Sequence, residues 1–179
     1  MIHKILLLNN IKIHELNCIA FSKGPGNFTG IRIATGIAQS LSLSLKIPIL
    51  GISTLAIMAE QAWRKYCQKK FLVSIYANTN KVYWGEYIKD HKFLWLGEKT
   101  ERLLDVYEMK KKIKNFNDDF LLITNGWEKI NDTDLLHVKK IHMIFPNAKD
   151  IIPFALFHLK NQKFLHATEV NPNYLNNIF

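Results

Sequence analysis

GPGNFTGIRIATGIAQSLSLSLKIPILGISTL, residues 24–55, carries a glycine turn, a long helix of small and branched residues, a strand and the cap of a second helix. Gly24 and Gly26 can take positive φ at no steric cost, while Pro25 between them fixes its own φ and lacks an N–H, so the stretch reads as a rigid, tight turn. Thr29 is placed to cap the helix that follows, its hydroxyl accepting from an orphan N–H of the first turn. Such a turn serves one of two ends. Backbone donors at Gly24, Gly26, Thr29 and Gly30, with the helix dipole behind them, can hold an anion; alternatively the turn is an elbow that aims a helix. No lysine follows the last glycine, so this is not the phosphate loop of nucleotide-binding proteins, nor is it the Gly-x-Gly-x-x-Gly of a dinucleotide fold. That favours the elbow.

The helix behind the turn runs to about Lys46. Ala34, Ala38 and Ser42 fall on one line at i+4 spacing, flanked by Ile33, Ile37, Leu41 and Leu45. Small residues permit close approach, and each large one removed from water contributes about 1.5–3 kcal/mol. These seven positions are therefore the expected partner-binding face, with part of the helix left to cover the chain's own sheet. PILGIS from Pro48 is a strand, and Ser53 caps a helix whose Leu55, Met58, Ala59, Ala62, Trp63 and Tyr66 recur as one packing stripe.

Working outward, residues 2–8 look like the end of a helix and CIAFS at 18–22 like a short buried strand. From Phe71 the pattern changes to strands, FLVSIY, KVYWGEYI and FLWL, with ANTN as turn material between the first two. A helix from Val106 to Ile113, a strand at FLLIT, a Gly126 turn, a short strand near Val138 and a helix from about Lys149 to Lys160 complete the chain. Strands covered by helices argue for two α/β lobes, residues 1–69 and 70–179.

The 179 residues are 48 % hydrophobic, enough for one core or two small lobes sharing an interface. LSLSLKIPILGI is broken by serines, Lys46 and Pro48, well short of the roughly 20 apolar residues that span a bilayer. The opening shows no secretory signal, and Cys18 and Cys67 form no CxxC pair, so a cytoplasmic location and no membrane partner are expected. The net charge of +9 invites a nucleic-acid reading. Lysine supplies 21 of the 24 basic residues, a bias that A/T-rich codons would produce, and Lys110, Lys111, Lys112 and Lys114 read as the solvated face of a helix with no aromatic-interleaved RNA-binding motif. Catalytic constellations are scarce. His137 and His142 lack the spacing of a helical zinc site, the serines match no nucleophile motif, and Asp118–Asp119 reads as a helix-ending signal. No metal, cofactor or catalytic residue is expected.

Residues 24–55 also resemble the signature GPGSFTGxRIGxxxAxGLAxxxxIPxxGVSTL of the TsaB (YeaZ) family of tRNA threonylcarbamoyladenosine biosynthesis proteins. Further similarity runs through MAEQAWRKY, KVYWGEY and the tail VNPNYLNN. The resemblance implies an actin-like (ASKHA) two-lobed α/β fold and a part in making N6-threonylcarbamoyladenosine at position 37 of tRNA. It implies a non-catalytic subunit that docks, through the helices beginning near Gly30 and Ser53, on a TsaD-like catalytic subunit working with a TsaE-like ATPase. The tRNA would be met indirectly through that complex, and without a partner the same surface can form a homodimer. Two departures stand out. Met1 aligns with an interior methionine of the family, so the opening strands with their DTS segment are expected to be missing and the N-terminal lobe incomplete. In IYANTNKVYW, Tyr76, Asn78 and Lys81 replace an acidic residue, an arginine and a glutamate of the family's tract, so any contact made by those charges is lost. The competing reading is a nucleotide-binding kinase or hydrolase of the same fold, with Gly24–Gly30 on a phosphate.

Overall fold

The computed structural model describes residues 2–78, 80–91, 94–116, 119–126, 139–142, 145–161 and 165–175. Helix α1 (Ile2–Leu8) is exposed along its length and leads to strand β1 (Ile19–Gly24). Helix α2 (Phe28–Leu45) follows the glycine turn, then β2 (Ile49–Ser53) and α3 (Thr54–Tyr66). Strands β1 and β2 pair in parallel from Ile19↔Ile49 to Gly24↔Ser53, forming a two-stranded sheet.

The cap of α2 differs from the expectation. The helix begins two residues earlier, at Phe28, and Asn27 is its N-cap, the side-chain Oδ1 accepting from the Gly30 N–H at 3.0 Å. Thr29 therefore lies inside the first turn. Asparagine is as good a cap as threonine or better, and its reach to the third residue on matches the open donor there. Lys46, at φ 54°, closes α2 in the left-handed conformation, and Cys67, at φ 56°, closes α3. Ser53 caps α3 as expected, accepting from the Leu55 N–H at 3.1 Å.

The second sheet holds β3 (Lys70–Asn78), β4 (Lys81–Lys89), β5 (Trp95–Leu96), β6 (Arg102–Asp105), β7 (Leu121–Asn125) and β8 (Lys140–His142). Its order is β5-β4-β3-β7-β8, with β6 also on β4. The meander β3–β4–β5 is antiparallel, while β7 joins β3 in parallel. Strand β6, too short to show an alternating pattern, adds to the expected strands; the strand expected near Val138 lies at β8, and residues 127–138, with Val138 and His137, fall outside the described residues. Helix α4 (Val106–Lys114) and helix α5 (Ile152–Lys160) match their expected positions.

Helix α3 is buried almost throughout and fastens the two sheets together. Leu55, Met58, Ala59 and Ala62 pack in one cluster with Leu50 and Ile52 of β2 and with Phe71, Val73, Tyr87 and Ile123 of the larger sheet. On that sheet's other face α4 buries Val106, Met109 and Ile113 against Leu72, Val82, Trp84 and Leu122. A third cluster, Phe21, Ala38, Ile49, Ala167 and Val170, joins α2 and the small sheet to the C-terminal tail.

Candidate functional site

The turn that launches α2 is filled from within the chain. Gly24 sits at φ 105°, where a Cβ would stand 2.9 Å from Ile31 Cδ1 and 3.1 Å from the carbonyl oxygen of Asn173. Only glycine admits both the backbone angle and that close approach. The Asn173 N–H donates to the Lys23 carbonyl at 2.8 Å, so the tail is fastened beside the turn. A Cβ on Gly26 would stand 3.9 Å from Ile31 Cδ1, and the Gly30 N–H is engaged by Asn27. The four positions expected to cradle an anion are thus near one another, but Gly24 is buried against the tail and the donor of Gly30 is already satisfied.

The tail is stitched to α2 at several points. Gln39 donates its side-chain amide to the carbonyls of Ala167 (2.8 Å) and Val170 (3.0 Å). Arg32 donates Nε–H to the Tyr174 hydroxyl at 2.8 Å, and its guanidinium carbon lies 3.9 Å from the centre of the Phe28 ring, which in turn packs 5.6 Å from the Tyr174 ring. Asn173 also donates Nδ2–H to Glu101 at 2.7 Å. That carboxylate accepts from Ser53 Oγ and Tyr87 Oη as well, tying the cap of α3, strand β4 and the tail to one half-buried group. Burial pushes the Glu101 carboxyl above its usual range against the pull of these three donors, and burial beside Glu101 pushes the Tyr87 phenol far up.

The seven residues expected to face a partner divide between two sides of α2. Ala38 and Ser42 are buried at 3 % and 4 % exposure, so their place in the partner face is corrected. Ala38 packs among Phe21, Ile49, Ala167 and Val170, and the Ser42 hydroxyl donates to the Ile47 carbonyl at 2.6 Å. Their small size lets α2 approach its own strands and tail. Ala34, Leu41 and Leu45 are half-buried along the border. Ile33 and Ile37 point outward, at 57 % and 50 % exposure, with Phe28 and Leu43 also exposed. Between these side chains lie Gly36, over which the space is open, and the exposed Ser40 and Ser44. The outer face therefore alternates branched apolar knobs with small gaps at 3–4 residue spacing, the surface that another helix can grip.

Between β2, α3, β5 and α5 lies a cavity of about 800 Å³ lined by Ile52, Ala56, Trp95, Phe154 and Phe157, with the Lys23–Glu98 ion pair (2.5 Å) among its lining residues. Glu60 reaches it from α3, paired with the buried Lys89 and accepting from Trp95 Nε1 at 2.6 Å, while Lys89 Nζ stands 3.6 Å from the centre of the Trp63 ring. Among the described residues no group of three or more His, Cys, Asp or Glu gathers as a metal site, and no helix is long and apolar enough to cross a membrane. The substituted Tyr76, Asn78 and Lys81 sit where β3 hands over to β4, Asn78 opposite Lys81 and Tyr76 opposite Val82 in register. Sequence reasoning missed Asn27, Arg32, Glu101, Asn173 and Tyr174. Only Asn27 carried a local signal, its place just before the first helical residue.

Comparison with known proteins agrees with this architecture. The family profile described as TsaD, tRNA N6-adenosine threonylcarbamoyltransferase, matches residues 1–173. The tRNA threonylcarbamoyladenosine biosynthesis protein TsaB of Buchnera aphidicola subsp. Schizaphis graminum is 53 % identical over 154 residues, covering 86 % of this chain and 73 % of its own. That of the subspecies Acyrthosiphon pisum is 49 % identical over all of this chain and 81 % of its own. A crystal structure from Pseudomonas aeruginosa, described as an uncharacterized protein with similarity to peptidase YeaZ, superposes with a TM-score of 0.85 at 27 % identity, over 98 % of this chain and 81 % of that one.

Proposed function

This chain belongs to the TsaB (YeaZ) family of tRNA threonylcarbamoyladenosine biosynthesis proteins, built on the actin-like (ASKHA) α/β fold shared with TsaD, and from that premise we propose that it is a non-catalytic scaffold that stabilises and activates a TsaD-like catalytic subunit. The observation that supports this reading is the outer face of α2, where Ile33 and Ile37 stand free of the chain's own core beside the open Gly36. A helix of the related subunit fits such a face, because two proteins of one fold can pair equivalent helices across a pseudo-two-fold axis. In the absence of that partner, two copies pair through the same face. A TsaE-like ATPase acts on the assembled pair in the cytoplasm, and the chain divides into lobes near Lys70.

Co-purification with the TsaD-like subunit tests the reading. Burial of one isoleucine contributes about 1.5–3 kcal/mol, so Ile37→Glu is expected to weaken the complex by roughly ten- to a hundred-fold or more while leaving the fold intact. Ala38→Glu is expected to unfold the chain and so is no test of docking. Undiminished binding by an Ile33→Glu, Ile37→Glu double variant overturns the proposal. The competing nucleotide-binding reading predicts submillimolar ATP–magnesium affinity that is lost in Gly26→Ala, measured by calorimetry.

A further inference from the structure

Helix α4 also carries an exposed outer face, and its surface is of another kind. Val106, Met109 and Ile113 turn inward, which leaves Tyr107, Lys110, Lys111 and Lys114 at i, i+3, i+4 and i+7 on the outer side. Tyr107 is 75 % exposed, the most exposed of the large apolar side chains among the described residues. Lys111 and Lys114 are exposed and have no carboxylate within ion-pair distance among the described residues, whereas Lys112, one step round the helix, is held by Glu86 at 3.1 Å. The one acid on the helix, Glu108, is turned back toward its N-terminus, where it accepts from the Asp105 N–H at 3.3 Å. The face thus offers an exposed aromatic ring in line with Lys111 and Lys114, which no carboxylate among the described residues compensates.

We propose that this face of α4 contacts RNA directly, Lys111 and Lys114 lying against backbone phosphates and Tyr107 giving its ring to an unstacked base. The partner follows from charge and ring together: phosphates need point cations that release counterions, and single-stranded bases stack on exposed aromatic rings. The inference rests on the reading that the chain works within a tRNA-modifying complex, for which its relatives' names supply the RNA. An acidic polypeptide would use the lysines alone and leave the tyrosine idle.

The test is tRNA binding across a salt series, by the full chain alone and by its complex with the TsaD-like subunit. Lys111→Gln with Lys114→Gln is expected to lower the slope of log affinity against log salt by about two, one per lysine. The arginine pair is expected to restore the slope. Tyr107→Ala is expected to cost roughly ten-fold in affinity at an unchanged slope, and Tyr107→Phe to cost little. An unchanged slope in the glutamine pair, equal loss for Tyr107→Phe and Tyr107→Ala, or displacement of tRNA by polyglutamate as readily as by unlabelled tRNA overturns the inference. If the complex forms and the α4 variants bind tRNA like the wild type, this inference fails and the scaffold reading stands. If no complex forms, the scaffold reading fails and the chain alone still decides the RNA contact.

Discussion

At the scale of single residues, Glu101 carries the largest electrostatic consequence. Its carboxyl is pushed up by burial, so the folded chain holds this proton at a pH where the unfolded chain has released it. The folded state then binds more protons than the unfolded one between the ordinary glutamate pKa and the raised native value, and in that window Glu101 favours folding more as pH falls. Glu101→Gln keeps the size and a carbonyl acceptor for Ser53 and Tyr87 while removing the charge. Thermal melts of both proteins across the acidic range are expected to show the wild type gaining on the variant as pH falls from neutrality toward the ordinary glutamate range. A melting difference that stays flat with pH refutes the assignment. Nothing near Glu101 in the sequence announces this role, because its three donors come from Ser53, Tyr87 and Asn173, far apart along the chain.

At the scale of elements, local spacing located the helices well and their orientation poorly. The periodicity in residues 28–45 marks a helix with small and large stripes side by side. Which stripe turns inward depends on Phe21, Ile49 and Val170, whose positions no local pattern supplies. Of the residues anticipated for docking, Ile33 and Ile37 therefore lie on the outer side of α2 and Ala38 and Ser42 inside. The cap obeys the same limit by two residues, since Asn27 and Thr29 are both good capping types and only the actual start of α2 separates them. Asn27→Ala is expected to cost about 0.5–2 kcal/mol of stability in urea unfolding, and Thr29→Ala only a few tenths. Equal losses would mean that the cap is shared. For α4 the lysine run was legible as a solvated face, while its alignment with Tyr107 needed the inward direction of Met109 and Ile113.

At the scale of the whole molecule, α3 and the C-terminal tail hold the parts together. The alternation of strands and helices sufficed to place all five described helices and most strands, and the shared motif at residues 24–55 anticipated the actin-like fold. The route of residues 167–174 over α2 and the glycine turn was not legible, because it rests on contacts such as Asn173 with Lys23 and Gln39 with Val170, made across most of the chain. Ending the chain after His166 removes the buried Ala167 and Val170 and their hydrogen bonds, and is expected to lower stability by on the order of 3–5 kcal/mol. Hydrogen exchange should show α2 amides losing protection in that variant; unchanged protection would show that the tail does not support the helix. The stitching of Asn173 to Lys23 also has a temporal side. The elbow leaves the ribosome well before residues 167–174 that lock it, so a nascent polypeptide holding only the first part of the chain carries an α2 that still lacks those supports.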